Sequence, residues 1–130
     1  MTENEVGRIV VDCALVVHRK LGPGLLESVY ELALSHEIGK LGLRIDRQVP
    51  IPVRYDTLVF DEGFRADIIV EKLVIIELKS VEEVHPVYKK QLLTYLRLAE
   101  MRLGYLINFG AGLLKDGITR VSNGAPDWRQ

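Results

Sequence analysis

Cysteine is almost absent from this sequence, in which Cys13 is the only one among 130 residues. A single cysteine cannot form an intrachain disulfide, so we expect a protein of a reducing compartment. The neighbours of Cys13 along the chain are apolar, and we interpret it as a small buried residue rather than a nucleophile. Hydrophobic residues make up 48% of the chain, which is enough to form a core without disulfides.

Long apolar runs, repeats and a basic N-terminus are also missing. No stretch approaches the roughly 20 apolar residues that a membrane span needs. The segment Met1 to Glu5 is acidic, whereas a signal peptide begins with basic residues. We therefore expect a cytoplasmic protein with no membrane segment. We expect a single domain over residues 1–130, with a loose tail over 122–130.

An excess of positive charge is the third feature that the sequence lacks. It has 17 Lys and Arg against 18 Asp and Glu, for a formal net charge of -1. Nucleic-acid-binding domains are often strongly basic. Any contact with phosphate must therefore come from a local patch or through a bound cation.

Apolar spacing and breaker residues predict a mixed order of helices and strands. The predicted elements are helices over 5–21 and 25–41, strands over 44–55, 58–60, 64–70 and 73–80, a helix over 87–101, a strand over 103–109 and a hairpin over 113–121. Pro50 and Pro52 indicate an edge strand or a bulge, and Asp116-Gly117 is a favoured hairpin turn. The order predicts an α/β fold with a mixed central sheet flanked by helices.

Charged residues interrupt two of the predicted strands. Glu77 and Lys79 follow an apolar run and share one face of the strand, because side chains alternate. One interpretation is a structural Glu77–Lys79 ion pair, since an unpaired buried charge is costly. Asp67 interrupts the neighbouring strand and favours a second interpretation. Two adjacent carboxylates repel unless a proton or cation lies between them, so Asp67 and Glu77 indicate a Mg²⁺ or Mn²⁺ site.

The length of the loop between these strands decides whether the two carboxylates meet. A two-residue loop at Glu71-Lys72 places Asp67 opposite Ile76 and turns Glu77 to the other face. A three-residue loop over 71–73 places Asp67 directly opposite Glu77. The shared-cation hypothesis requires the three-residue loop or a bulge.

Two further polar residues fall within predicted apolar helix faces. Glu27 lies at the edge of the apolar arc of the second helix, whereas Glu31 lies in its polar arc. Glu27 then either faces the sheet or interacts with the helix dipole. Gln91 lies in the apolar face of the third helix, with Tyr95 one turn further on. It is interpreted either as hydrogen-bonded to the sheet or as directed, with Tyr95, at the site.

These residues together resemble a known superfamily. Asp67, Glu77-Leu78-Lys79 and the segment Gln91-Leu92-Leu93-Thr94-Tyr95 resemble the PD-(D/E)XK nuclease superfamily, and the last segment resembles its RecB-like branches. The segment Gly24-Leu25-Leu26-Glu27-Ser28-Val29-Tyr30 is similar to the signature of the GxxExxY family, which is grouped with that superfamily. The resemblance covers about residues 5–121. Ala66 stands where the superfamily name has proline.

The resemblance implies a fold and a set of roles. The fold is the αβββαβ core of restriction-endonuclease-like proteins, here with an extra N-terminal helix and a C-terminal hairpin. The implied metal ligands are Asp67, Glu77, the Leu78 carbonyl and Glu27, and the other implied catalytic residues are Lys79, Gln91 and Tyr95. Lys79 positions or activates the attacking water and stabilises charge on the phosphate, and Gln91 and Tyr95 orient Lys79 or the substrate.

The implied function is metal-dependent hydrolysis of nucleic-acid phosphodiester bonds, with DNA as the expected substrate and Mg²⁺ or Mn²⁺ as the cofactor. A homodimer is expected, because so small a domain offers little surface for a duplex. Two alternatives stay open, since a fold does not determine a function. One is a non-catalytic nucleic-acid-binding or protein-interaction module on the same fold. The other is an α/β domain with only a structural Glu77–Lys79 pair.

Overall fold

A five-stranded mixed sheet forms the centre of the computed structural model, which describes residues 1–127. The elements are α1 (Glu3–Leu21), α2 (Glu27–Gly39), β1 (Ile45–Tyr55), β2 (Leu58–Val70), β3 (Val74–Lys79), α3 (Val87–Ala99), β4 (Leu103–Asn108), a 3₁₀ turn (Leu114–Gly117) and β5 (Ile118–Ser122). The strands lie in chain order, with β3 and β4 parallel and the other neighbours antiparallel. The order from α2 to β4 is the αβββαβ core that the resemblance implies. Across residues 1–127, every helix is too short or too polar to span a membrane.

The sheet separates two hydrophobic clusters, and helices cover both of its faces. The α1 and α2 helices pack on one face, called here the α2 face, and α3 packs on the other, the α3 face. On β3, Ile76 and Leu78 face α2 and Ile75 faces α3. This strand is therefore covered on both sides, as its apolar sequence predicts. Because side chains alternate, Glu77 and Lys79 lie on the α3 face.

The first two predicted helices are confirmed, and Tyr30 explains why α2 begins two residues later than predicted. Tyr30 is fully buried and its ring stacks on Phe109, with centroids 4.5 Å apart. Its hydroxyl donates a hydrogen bond to the Gly22 carbonyl and accepts one from the Leu25 N–H at 3.1 Å. The α1–α2 connection is thus fastened to the core by one side chain, and helical geometry resumes only at Glu27.

The edge and bulge predicted at Pro50 and Pro52 are confirmed, because β1 is an edge strand and its register shifts between Ile51 and Val53. The prediction of two separate strands over 58–60 and 64–70 is wrong, since β2 is continuous through this region. Gly63 makes this possible, because a Cβ at that position would collide with the Val53 side chain.

The hairpin predicted around Asp116-Gly117 is also wrong. These residues end the 3₁₀ turn, and β5 pairs antiparallel with β4. Gly117 lies so close to the Asn108 carbonyl that a Cβ would collide with it. Part of the expected loose tail is hydrogen-bonded to the rest of the chain, since the Pro126 carbonyl accepts from Asn4 at 3.2 Å and from Arg120 at 2.8 Å. The last tail residues, 128–130, lie outside the described residues.

Candidate active site

The loop that joins β2 and β3 sets the register of the site. It has three residues, 71–73, and its first two adopt left-handed φ values of 53° and 54°. The antiparallel ladder ends at the pair Ile68–Ile76. The next position along both strands brings Asp67 opposite Glu77. This is the register that the shared-cation hypothesis requires, and the two-residue alternative is not formed.

Hydrogen bonds to the side chains of Asp67 and Glu77 take the place of backbone–backbone hydrogen bonds at this position. The Leu78 N–H donates a hydrogen bond of 2.8 Å to Asp67 Oδ2. The Asp67 N–H points to Glu77 Oε1 at 3.4 Å. The N–H and C=O of one strand residue point to the same side of the strand. The Leu78 carbonyl therefore lies on the side of Asp67, so that three oxygen-bearing groups border one position between the strands.

The charge state of Glu77 follows from this contact. Burial, followed by the charge of Asp67 and a side-chain hydrogen bond with it, raises the pKa of Glu77 to about 9, although the Asp67 N–H and the charge of Lys79 act in the opposite direction. At neutral pH and without a cation, Glu77 thus holds a proton beside Asp67. Carboxylate and carbonyl oxygens are the donors that hard divalent cations prefer. A cation in this position would replace the proton, so the residues present fit such an ion.

Lys79 does not neutralise the two carboxylates directly. Its ammonium group lies 4.2 Å from the centre of the Tyr88 ring, at the start of α3. Within residues 1–127, no salt bridge joins Lys79 to Glu77. The structural ion pair considered from the sequence is therefore not formed. The lysine charge is held near the site by an aromatic ring.

The predicted buried face of α3 is shifted by one position. Gln91 is exposed, so its assignment to the apolar face is wrong, and Leu92 and Leu96 are buried instead. Tyr95 is half-buried and stacks on Phe64 with centroids 4.0 Å apart. Burial and then the charges of Glu77 and Asp67 raise the pKa of Tyr95, which lies beside the pair. Gln91 lies one turn earlier on the same side of the helix.

The predicted faces of α2 are shifted as well. Glu31 is only 7% exposed although it was assigned to the polar arc, and Glu27 is exposed at the start of the helix. Glu27 lines a groove of about 800 Å³ with Ser80 and Val81, just beyond the end of β3. Among residues 1–127, no three His, Cys, Asp or Glu side chains are grouped as metal ligands. The structure therefore brings Asp67 and Glu77 together and leaves Glu27 apart from them.

Asn108 fixes the chain just beyond the end of β3, although little in the sequence indicates this role. Its side chain is 2% exposed at the end of β4. Its Oδ1 accepts from the N–H groups of Val81 and Gly110, both at 3.0 Å, and its Nδ2 donates to the Val81 carbonyl at 2.9 Å. These bonds fix the chain two residues after Lys79. A buried asparagine at the end of an apolar strand was the only signal in the sequence.

Comparison with known families relates this geometry to a group of enzymes. The family model described as the PD-(D/E)XK nuclease superfamily matches residues 4–121, a segment that contains Asp67, Glu77 and Lys79. Searches among curated proteins and among solved structures gave no match. The five-stranded mixed sheet flanked by helices is consistent with a restriction-endonuclease-like fold. Because the match spans nearly the whole chain, the protein belongs to the PD-(D/E)XK nuclease superfamily.

Proposed function

We propose that the protein is a divalent-cation-dependent nuclease that hydrolyses phosphodiester bonds. Membership of the superfamily supports nuclease activity. The observation that carries the proposal is the contact between Asp67 and Glu77, and regular strand geometry directs the Leu78 carbonyl to the same side. The two carboxyl groups are in contact, and the pKa of Glu77 is raised. Such an environment favours a bound cation.

Each residue of the site has a proposed task. Asp67, Glu77 and the Leu78 carbonyl would hold the ion. When bound, the ion offsets negative charge on the scissile phosphate and lowers the pKa of the attacking water. Lys79 carries its charge on the same face as Glu77, where it attracts a phosphate oxygen. The Tyr88 ring holds that charge in place without neutralising it.

The remaining predicted residues have less direct roles in this proposal. Tyr95 borders the carboxylate pair and shields it from water through its stack on Phe64. Gln91, exposed one turn away, is available to hydrogen-bond a substrate. Glu27 lies at the end of β3 in the neighbouring groove, where it would reach the ion only after a change of side-chain or helix position.

The family, ion, substrate, location and oligomeric state of the protein are proposed as well. The Gly24 to Tyr30 segment supports membership of the GxxExxY family within the superfamily. Mg²⁺ or Mn²⁺ is the proposed ion, because the donors are oxygens. DNA is the proposed substrate and the cytoplasm the proposed location. A homodimer is proposed because one small domain offers little surface to a duplex.

A second candidate is a non-catalytic nucleic-acid-binding module. The separation of Glu27 from Asp67 and Glu77 favours it, since the ligand set is then smaller than the resemblance implies. Binding of nucleic acid without cleavage, at any divalent cation concentration, would select this candidate.

Cleavage assays test the main proposal. Labelled single- and double-stranded DNA and RNA are incubated with the protein and Mn²⁺, Mg²⁺ or EDTA. We expect cleavage with a divalent cation and none with EDTA. Asp67→Ala and Lys79→Ala should each lower the rate by at least about a hundredfold, the loss typical of removing one stabilising group from a transition state.

Matched controls are the exposed residues Asp116 and Lys115, on the connection between β4 and β5. Asp116→Ala and Lys115→Ala should cleave as the wild type does. Cleavage that persists in both site variants would contradict the assignment of the site. Circular dichroism of every variant would show whether the fold is retained.

A further inference from the structure

A polar cluster on the α2 face joins that helix to the edge strand. Glu31 is buried on α2, and its Oε2 accepts hydrogen bonds from Arg47 Nη2 at 2.9 Å and Nε at 3.1 Å. Its Oε1 accepts from Gln48 Nε2. One carboxylate thus holds two successive side chains of β1.

Gln48 is held in a backbone conformation that strands do not use. Its φ is +51°, in the left-handed region that is uncommon for residues other than glycine. The ladder between β1 and β2 pairs Arg47 with Ile68 and Val49 with Ala66, and omits the position between them. The residue opposite Gln48 at that position is Asp67. The local strain therefore lies directly across the strand pair from a proposed metal ligand.

Both strands change face at this position. On β1, Arg47 turns toward Glu31 on the α2 face, whereas Val49 packs on the α3 face. On β2, Ile68 packs on the α2 face and Ala66 on the α3 face. Residues two apart in a regular strand share a face. Each strand therefore has its irregularity at one residue, Gln48 on β1 and Asp67 on β2.

This irregularity explains the orientation of Asp67. In a regular strand its carboxylate would stand perpendicular to the sheet. Here it reaches sideways to the Leu78 N–H on the neighbouring strand, at 2.8 Å. Backbone strain at a site persists only when the surrounding structure holds it in place. Glu31 supplies that restraint through its bonds to Arg47 and Gln48.

We propose that Glu31, Arg47 and Gln48 are positioning residues that orient Asp67, with Gln48 as the element that breaks the strand. The inference rests on the proposed function, because it assigns Asp67 to the ion. None of the three touches Glu77 or Leu78 among the hydrogen bonds of residues 1–127. Their effect passes through the paired backbones of β1 and β2.

Substitutions at Gln48 separate the backbone conformation from the side chain. Gln48→Val disfavours positive φ because valine is β-branched, and it therefore favours a regular strand. Gln48→Gly removes the side chain and keeps the left-handed conformation accessible. Gln48 is exposed, so neither variant leaves a cavity. Glu31→Gln is a second, independent variant, which removes the ion pair with Arg47 and keeps the size of the side chain.

The readouts are hydrogen exchange of the Leu78 amide, Mn²⁺ affinity and the free energy of unfolding. We expect Gln48→Val to lose protection at Leu78 and to bind Mn²⁺ at least about tenfold more weakly, as disruption of groups that orient metal ligands does. Its free energy of unfolding should fall by no more than that of Gln48→Gly, because both variants lose the hydrogen bond to Glu31. Gln48→Gly should stay within about threefold of the wild type in Mn²⁺ affinity, since positive φ remains accessible. Glu31→Gln should weaken Mn²⁺ binding in the same direction as Gln48→Val.

Glu100 provides the matched control, because its φ of +55° ends α3 away from the carboxylate pair. Glu100→Val and Glu100→Gly should change stability and leave Leu78 protection unchanged. The proposal is overturned if Gln48→Val keeps both Leu78 protection and Mn²⁺ affinity, or if the valine and glycine variants lose them equally. If the wild type neither binds Mn²⁺ nor cleaves, the proposed function fails. Hydrogen exchange of the Leu78 amide still tests the positioning role in that case, with Asp67→Ala as the reference for complete loss of protection.

Discussion

The ionisation of Glu77 depends strongly on folding. Its pKa is about 9 in the folded protein, against 4.5 for a free glutamate, with burial as the main cause. Between these two values the folded chain binds one more proton than the unfolded chain. Stability is therefore full below the unfolded pKa and falls as pH rises toward the folded pKa. The slope is at most about 1.4 kcal/mol per pH unit.

Urea denaturation in EDTA, from about pH 5.5 to about pH 8.5, measures this dependence. We expect the free energy of unfolding of the wild type to fall with pH across this range. Glu77→Gln should flatten the curve and be more stable than the wild type at the upper end. Glu83→Gln, at an exposed glutamate, should keep the wild-type slope. An unchanged slope in Glu77→Gln would contradict the assigned protonation.

Lys79 depends on an aromatic ring rather than on a carboxylate for its position. A cation over an aromatic ring contributes about 0.5–1 kcal/mol at exposed sites. Tyr88→Phe keeps the ring, and Tyr88→Leu removes it. We expect kcat/KM for cleavage to stay near the wild-type value in the first variant and to fall about two- to fivefold in the second.

Tyr55→Leu is the matched control for the loss of a tyrosine ring, because Tyr55 is 72% exposed at the far end of β1. It should leave kcat/KM unchanged. Equal rates for Tyr88→Phe and Tyr88→Leu would show that the ring has no part in placing Lys79.

The helix residues of the site were harder to predict than the strand residues, for a physical reason. Asp67 and Glu77 each interrupt an apolar strand, which marks both residues, and alternation fixes the face of Glu77. The face of a helix is found from all of its apolar residues together. Leu26 belongs to the helix predicted over 25–41, but in the structure it precedes α2 and is 75% exposed. An apolar face that contains Leu26 is rotated toward Glu27 and away from Glu31.

At the scale of the elements, the periodic segments were predictable and their connections were not. All three helices and the buried strands follow from apolar spacing. The division of β2 and the hairpin at Asp116-Gly117 are wrong predictions, and a glycine lies at each of these places, Gly63 and Gly117. Both positions require glycine because of a close contact, Gly63 with the Val53 side chain and Gly117 with the Asn108 carbonyl. Such contacts come from distant parts of the chain and leave no local pattern.

The α1–α2 connection is the element whose stability depends on one hydroxyl group. Tyr30 bonds both Gly22 and Leu25 from a fully buried position. Tyr30→Phe leaves the Gly22 carbonyl and the Leu25 N–H without this partner. We expect the free energy of unfolding to fall by about 1–3 kcal/mol, since each of the two hydrogen bonds lost contributes about 0.5–1.5 kcal/mol.

Chemical denaturation measures the effect of Tyr30→Phe, and Tyr55→Phe serves as its control. The exposed Tyr55 should change stability by less than about 0.5 kcal/mol. A similar loss in both variants would mean that the hydroxyl of Tyr30 does not fasten the connection.

At the scale of the whole molecule, the sheet separates the carboxylate pair from the residues proposed to orient one of its members. Glu77, Lys79 and Tyr95 lie on the α3 face, whereas Glu31 and Glu27 belong to the helix on the other face. The two sides are connected where β1 and β2 change face at Gln48 and Asp67. A sequence pattern indicates which face of a regular strand a residue occupies. It does not show that two paired strands change face at residues that lie opposite each other. The switch at Gln48 could therefore be found only from the structure.

The central claim is that Asp67 and Glu77 form a divalent-cation site, and calorimetric titration with Mn²⁺ tests it most directly. The wild type, Asp67→Asn and the exposed control Asp116→Asn are compared at equal concentration, after circular dichroism has shown that each is folded. We predict saturable Mn²⁺ binding by the wild type and by Asp116→Asn, and its loss in Asp67→Asn. No binding by the wild type at millimolar Mn²⁺, or equal binding by all three proteins, would contradict the claim.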